Sequence, residues 1–252
     1  MVRFGLIGAS LSHSWSQRSF TERFAREGLT DHRYDPFELA RVEDLPDLLR
    51  STPGLRGLNV TVPYKTSVMP LLDAVDPMAA AVGAVNTILI ENGRTIGHNT
   101  DVQGFRATVQ PLLPELVDPK SDVRLRALVL GSGGASRAVG YVLRELGVRF
   151  RVVSRSRERG DLTWEQVDRI SVGVCRLIVN TTPVGMYPDV EAAPPLPYEA
   201  IGARHALIDL IYNPEETLFL KLGKANGART VNGARMLEAQ ADASWRIWKG
   251  AG

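Results

Sequence analysis

The sequence predicts an α/β protein of two units in series, each built on a mostly parallel sheet, with a final helix. Three observations predict it. Short apolar runs alternate with stretches of helical spacing along the whole chain. One pair of runs, 85–90 and 94–98, flanks Asn92-Gly93, the signature of a tight hairpin and so of an antiparallel addition. Finally, the apolar run 127–130 passes through Gly131-Ser132-Gly133-Gly134 into a helical stretch that Gly147 stops.

Taken in order, Phe4-Gly5-Leu6-Ile7-Gly8 reads as a buried strand. Residues 16–27 are spaced as a helix, with Phe20, Phe24 and Ala25 on one face and Gly28 as its stop. Residues 32–37 form a second strand, and 45–49 belong to a helix that ends before Pro53-Gly54. Residues 57–63 form a third strand, followed by a helix through Val68, Leu71 and Leu72. After the hairpin a helix is expected over 102–112, then a looser stretch marked by Pro111, Pro114 and Pro119. The second unit begins near Arg126 and has further strands at 177–180 and 206–212, separated by the proline-rich loop 192–197. Against the family that the motifs below resemble, the stretch between Ser156 and Asn180 is short, and that resemblance implies a trimmed helix there. Residues 233–248 form the last helix, with Met236, Leu237, Ala241, Trp245 and Trp248 as its apolar positions.

Composition narrows the function. With 252 residues, 44% of them hydrophobic, the chain can bury a sizeable core. A formal charge of +2 without a long basic run argues against a nucleic-acid partner. The single cysteine, Cys175, sits in an apolar run and reads as a small core residue, so no intramolecular disulfide forms. Four scattered histidines and no CxxC argue against a metal site. No apolar stretch approaches the roughly 20 residues that span a bilayer, and the N-terminus lacks a signal-peptide pattern. A cytoplasmic protein with no membrane partner is expected.

Strand, glycine turn and helix together suit a nucleotide pyrophosphate. Glycines let the backbone approach the phosphates, and the helix N-terminus offers free N–H groups and the positive end of a dipole. The second apolar run of this unit ends in Ser154-Arg155-Ser156-Arg157, about 20 residues after Gly131, where an NAD site would place a carboxylate for the ribose diol. Arginines there suit a 2′-phosphate, so the expected cofactor is NADP.

Polar groups cluster at the ends of the first-unit strands, where open parallel sheets bind ligands. Ser12 and Ser14 are alternate hydroxyls that could grip a carboxylate, or else cap a helix. Asn59 and Thr61 alternate on one strand face, and Lys65 starts the next helix, where the dipole opposes a cation. Asn86 and Asp101 follow in Gly83-Ala84-Val85-Asn86-Thr87 and His98-Asn99-Thr100-Asp101; Asp101 caps a helix or faces Lys65.

These segments, in this order and with close spacing, resemble the shikimate dehydrogenase family, as do Gly131-Ser132-Gly133-Gly134-Ala135-Ser136-Arg137, Asn180-Thr181-Thr182-Pro183-Val184-Gly185-Met186, Asp209-Leu210-Ile211-Tyr212 and Gly233-Ala234-Arg235-Met236-Leu237 with Gln240. The resemblance covers nearly the whole chain. It implies reversible, NADP-dependent reduction of 3-dehydroshikimate to shikimate in aromatic amino-acid (chorismate) biosynthesis. It further implies Lys65 and Asp101 as the catalytic pair, and Ser12 and Ser14 on the substrate carboxylate. Asn59, Thr61, Asn86, Tyr212 and Gln240 would contact the rest of the substrate. Gly131, Ser132, Gly133, Gly134, Ala135, Ser154, Arg155, Ser156, Thr181, Leu210 and Gly233 would contact the cofactor. Either Lys65 donates the proton or it stabilises the developing alkoxide.

By the same resemblance, residues 1–101 with 233–252 form the substrate domain and 102–232 a Rossmann-like NADP-binding domain, with the active site in a cleft that opens and closes. A monomer or homodimer is expected. His98, Val102 and Arg235 depart from the family pattern at positions beside the site. Two rivals make different demands. An NAD-using quinate/shikimate dehydrogenase would want an acidic residue where Arg157 stands, and a non-catalytic ligand sensor would have lost Lys65 or Asp101.

Overall fold

The computed structural model describes residues 1–11, 15–117 and 124–250. The chain divides into two compact units, Met1–Thr100 with Ala241–Gly252, and Asp101–Gln240.

The first unit comprises β1 (Val2–Gly8), α1 (Trp15–Arg26), β2 (His32–Glu38), α2 (Leu45–Ser51), β3 (Leu55–Val60), β4 (Ala74–Val75), α3 (Pro77–Val82), β5 (Thr87–Glu91) and β6 (Arg94–His98). Its sheet runs β2-β1-β3-β5-β6-β4. β1 pairs in parallel with β2 and β3, whereas β5 is antiparallel to both β3 and β6. The β5–β6 turn is the one expected: Asn92 and Gly93 both take positive φ, 51° and 77°, which matches the twist of the flanking strands.

Alternation along the strands splits the core between the two faces of this sheet. Ile7, Leu58, Val60 and Ile88 pack on one side with Val42, Leu45 and Val68. Phe4 and Leu6 pack on the other with Phe20, Phe24, Tyr34, Trp245 and Trp248. Each such side chain, fully buried, contributes about 1.5–3 kcal/mol. Gly57 is required by this second face. A Cβ there would stand 2.2 Å from the Trp248 indole nitrogen. The indole therefore lies directly on the strand and donates to the Ile88 carbonyl at 3.0 Å.

The second unit comprises α4 (Asp101–Val109), α5 (Leu113–Leu116), β7 (Arg126–Leu130), α6 (Gly134–Glu145), β8 (Arg149–Ser154), β9 (Leu162–Thr163), α7 (Arg169–Val174), β10 (Leu177–Asn180), β11 (Ala206–Asp209), α8 (Leu218–Ala225) and β12 (Arg229–Val231). The last helix, α9 (Ala234–Trp248), begins in this unit and ends in the first. The sheet order β12-β11-β10-β7-β8-β9 is all parallel. Counted within the unit it is the 3-2-1-4-5-6 order of dinucleotide-binding sheets, reversing between β7 and β10. The two-domain α/β architecture is therefore as expected. The stretch between β8 and β10 holds β9, a single 3₁₀ turn (Trp164–Gln166) and the six-residue α7, so its one α-helix is short. Cys175 is buried in the core with Leu128, Val153 and Ile178, and burial pushes its thiol up to about 11.

Several local expectations are corrected. No helix starts at Lys65: residues 62–68 form turns, followed by a single 3₁₀ turn, Met69–Leu71. Pro70 removes an amide that a helix would need. The strand through Asn59 ends at Val60, and that through Asp209 ends there rather than at Tyr212. The helix expected over 102–112 stops at Val109, just before Pro111.

Candidate active site

In the first unit, five polar side chains from distant parts of the sequence meet in the interior. Asn59, Asn86, Thr87, Thr100 and Ser244 are all buried. Asn59 Nδ2 donates to Ser244 Oγ at 3.0 Å and to Thr87 Oγ1 at 3.2 Å, while its Oδ1 accepts from the Tyr34 hydroxyl at 2.8 Å. Asn86 Oδ1 accepts from the Thr100 backbone N–H at 2.7 Å, and Asn86 Nδ2 donates to Thr100 Oγ1 at 3.0 Å. Thr87 Oγ1 and Ser244 Oγ stand 2.8 Å apart. Hydrogen bonding of this density offsets the cost of burying the groups and locks their rotamers. The structure thus brings Asn59 and Asn86 together. Ser244, the hub contributed by α9, was not anticipated. Its signal was a serine at helical spacing from Ala241 and Trp248, on the apolar stripe of the last helix.

Lys65 is half-buried in the turns after β3, and two devices fix its backbone. The Lys65 carbonyl accepts from the Val85 N–H at 2.7 Å, and the neighbouring Tyr64, itself buried, donates its hydroxyl to the Leu39 carbonyl at 2.7 Å. Thr61 lies one residue beyond β3, its N–H still bonded to the Ile7 carbonyl at 2.9 Å. Asn99 ties the strand end to the Gly83 segment by donating to the Ala84 carbonyl at 2.8 Å. Ser12 and Ser14 lie outside the described residues. His98, at the end of β6, is held below the usual imidazole range by burial, which outweighs the opposing field of Asp76.

In the second unit, Asp101 is the first residue of α4 and is 4% exposed. A carboxylate in the first turn is favoured by the helix dipole. Gln240, on α9, donates to the Leu237 carbonyl at 3.1 Å.

The glycine turn has the geometry a pyrophosphate needs. Gly131 has φ +105°, and a Cβ there would stand 2.8 Å from Thr181 Oγ1. Thr181 in turn donates through Oγ1 to the Leu130 carbonyl at 2.7 Å, stitching the turn to the end of β10 across the point where strand order reverses. Gly133 precedes α6, so the N–H groups of Gly134 and Ala135 open the helix without intrahelical acceptors. Ser132 Oγ and Ser154 Oγ stand 3.0 Å apart, linking the turn to the end of β8. Just beyond, Ser156 donates its N–H towards Ser154 Oγ at 3.5 Å, and Arg155 and Arg157 are exposed. The nearby Asp161 is engaged with its own strand, accepting from the Val152 N–H at 2.8 Å. These residues fit an adenosine dinucleotide carrying a 2′-phosphate: an open backbone cradle, a helix N-terminus, and guanidinium groups at the position where a ribose diol would call for a carboxylate.

Leu210, Tyr212 and Gly233 converge at the ends of β11 and β12. The Gly233 N–H donates to the Ile211 carbonyl at 2.9 Å, and a Cβ on Gly233 would stand 2.2 Å from the Leu210 carbonyl oxygen. Tyr212 projects with 37% of its surface exposed. Beneath them is a group absent from the expected site, the fully buried carboxylate of Asp209. It accepts from Thr217 Oγ1 at 2.6 Å, Asn180 Nδ2 at 3.0 Å and the Ile211 N–H at 3.1 Å. Burial pushes its carboxyl up to about 6 against these three stabilising hydrogen bonds. Among the described residues no group of histidine, cysteine and acidic side chains could hold a metal ion, and no helix is long and apolar enough to cross a membrane.

Comparison with known proteins gives these features a context. Residues 6–88 match the family model described as the shikimate dehydrogenase substrate binding domain. The shikimate dehydrogenase (NADP(+)) of Methanococcus maripaludis is 36% identical, over 98% of this chain and 91% of the relative. The crystal structure of shikimate 5-dehydrogenase from Thermus thermophilus, in complex with NADP(H) and shikimate, superposes with a TM-score of 0.85 at 36% identity, covering 99% of this chain and 94% of that one. Quinate dehydrogenase from Corynebacterium glutamicum, in complex with NAD, has a TM-score of 0.84 at 30% identity, over 99% and 94% of the two chains. With its glycine cradle, its arginines after β8 and its full-length similarity to these proteins, the chain belongs to the shikimate dehydrogenase family.

Proposed function

We infer that the protein is an NADP-dependent shikimate dehydrogenase, which reversibly reduces 3-dehydroshikimate to shikimate in aromatic biosynthesis. The observation that carries the cofactor choice is the turn held open at Gly131, followed after β8 by Arg155 and Arg157 where an acid would grip a ribose diol. NAD-linked quinate oxidation is the competing reading. It lacks its acidic residue at that position, and Asp161 is engaged by the Val152 N–H.

The cofactor would be held by Gly131, Ser132, Gly133, Gly134 and Ala135 at its pyrophosphate, and by Ser154, Arg155 and Ser156 at its 2′-phosphate. Thr181, Leu210 and Gly233 would hold its nicotinamide half. When bound, it supplies hydride to the ketone carbon. The residues of this chain do the rest. Ser12 and Ser14 grip the substrate carboxylate as neutral donors. Asn59, Thr61, Asn86, Tyr212 and Gln240 fix the ring and its hydroxyls. The Lys65 ammonium faces the oxygen on which negative charge grows, where it lowers the barrier electrostatically and has a proton to give. The Asp101 carboxylate orients the ammonium and the hydroxyl. The buried bonds of Asn59 and Asn86 support this reading, because they fix the end of β3 and the segment leading into β5 before substrate arrives.

The enzyme works in the cytoplasm, as a monomer or homodimer, on a small-molecule substrate. Absorbance of the reduced nicotinamide band with shikimate or quinate, each with NADP or NAD, tests the assignment. The expected result is activity greatest with shikimate and NADP; faster turnover of quinate with NAD would replace it by the competing reading.

A further inference from the structure

The buried Asp209 carboxylate touches neither of the groups assigned to chemistry, yet it is the point at which the segments around them are tied. It lies at the C-terminal end of β11, with no surface exposed. Through Thr217 it reaches the N-cap of α8, through the Ile211 N–H it folds back the segment that carries Leu210 and Tyr212, and through Asn180 it reaches the end of β10. Asn180 passes the constraint on. Its Oδ1 accepts from Thr182 Oγ1 at 2.7 Å and the Thr182 N–H at 3.0 Å, and its Nδ2 points to the Val184 carbonyl at 3.4 Å. The Ile211 carbonyl accepts from the Gly233 N–H, so the start of α9 is tied to the same segment. One carboxylate thus holds, directly or through one partner, the stretches bearing Thr181, Leu210, Tyr212 and Gly233.

The placement of these stretches matters. A dinucleotide crosses the sheet where strand order reverses, here between β7 and β10. Arg155 and Arg157 follow β8, on one side of that point, so the adenosine half belongs there and the nicotinamide half belongs over the ends of β10 and β11. The Asp209 ties lie wholly on the second side. A buried carboxylate is a costly way to hold these segments, since apolar packing in its place is often neutral or stabilising, and its cost points to a role at the loops it ties.

We propose that Asp209 is a positioning residue whose carboxylate sets the β10 and β11 end segments for the nicotinamide half of the cofactor, leaving the adenosine half untouched. This rests on the cofactor assignment made above. The test uses the full-length enzyme, two probes and two variants. NADP carries both halves, and adenosine 2′,5′-bisphosphate carries the adenosine half alone. In Asp209→Asn the amide offers one acceptor atom instead of two. The dissociation constant for NADP is expected to rise at least about tenfold, since segments freed from their ties must be ordered again when the nicotinamide half binds. Binding of adenosine 2′,5′-bisphosphate is expected to stay within about twofold of wild type, and so is the ratio of kcat/KM with NADP to that with NAD. Thr217→Val removes one tie without touching the carboxylate, and should show the same split more weakly; it decides the matter if Asp209→Asn does not fold. Equal weakening of both probes, or of neither, in the folded variants overturns the proposal. If the wild-type enzyme binds neither probe, the cofactor assignment itself fails and the proposal with it.

Discussion

The same carboxylate makes a quantitative prediction about stability. In the folded protein Asp209 is pushed from 3.8 to about 6, with burial as the largest cause. A carboxyl whose pKa is raised on folding holds its proton more tightly in the native state. Its favourable contribution is therefore complete below about pH 3.8 and is lost as pH rises through about 6. The shift of roughly two units corresponds to about 3 kcal/mol in full, at 1.36 kcal/mol per unit, and about half of that falls between about pH 5 and pH 7.5. The perturbation is Asp209→Asn, which cannot ionise. The assay is native-state hydrogen exchange of the β10 and β11 amides, corrected for the intrinsic rate. It reads the opening free energy of these strands without requiring the chain to unfold in one step. Other titrating groups cancel in the difference between variant and wild type. That difference should shift in favour of Asp209→Asn by roughly 1 kcal/mol from about pH 5 to pH 7.5. A flat difference, or one of opposite slope, would refute the reasoning, because the carboxylate would then be no worse off inside the fold than in the unfolded chain.

Other expectations follow from the site. Lys65→Ala should lower kcat by about 100-fold or more with a smaller change in the shikimate KM, since its main role is at the transition state; turnover like wild type would remove it from the chemistry. Arg155→Ala should erode an NADP preference of at least about tenfold by weakening NADP and leaving NAD unchanged, read from kcat/KM with each cofactor. Ser244→Ala should destabilise the first unit by about 1–3 kcal/mol in urea unfolding, because it leaves Asn59 and Thr87 short of a buried partner. A loss below about 0.5 kcal/mol would mean that the remaining members re-pair among themselves.

The sheets were legible because their strands are continuous apolar runs bounded by glycine, proline or polar residues, and the Asn92-Gly93 hairpin because its turn chemistry is unambiguous. The dinucleotide unit was legible from local pattern alone, since strand, turn and helix are contiguous. What escaped was short or non-local. β4 and β12 have two and three residues, too few to show a period. Val68, Leu71 and Leu72 have helical spacing, but Pro63 and Pro70 turn that segment into successive turns. The polar network joins Asn59 to Ser244 across 185 positions of sequence, a pairing that no local rule discloses. Asp209 did leave a mark, as an acid set inside Leu207-Ile208-Asp209-Leu210-Ile211, where only a bonded carboxylate could be buried. Ser12 and Ser14, read from sequence as the carboxylate grip, lie outside the described residues.

The division of the last helix between the units has a consequence for how the protein is made. Ser244, Trp245 and Trp248 complete the interior of a sheet whose strands all lie within the first 98 residues. During synthesis those strands leave the ribosome long before the tryptophans that cover them. The second unit, by contrast, is one unbroken stretch, Asp101–Gln240. The aromatic face of the first unit therefore stays open to the solvent, and to whatever chaperone finds it, until the far end of the chain has emerged. Free chains ended just after residue 240 should show a protease-resistant second unit beside a digestible first one.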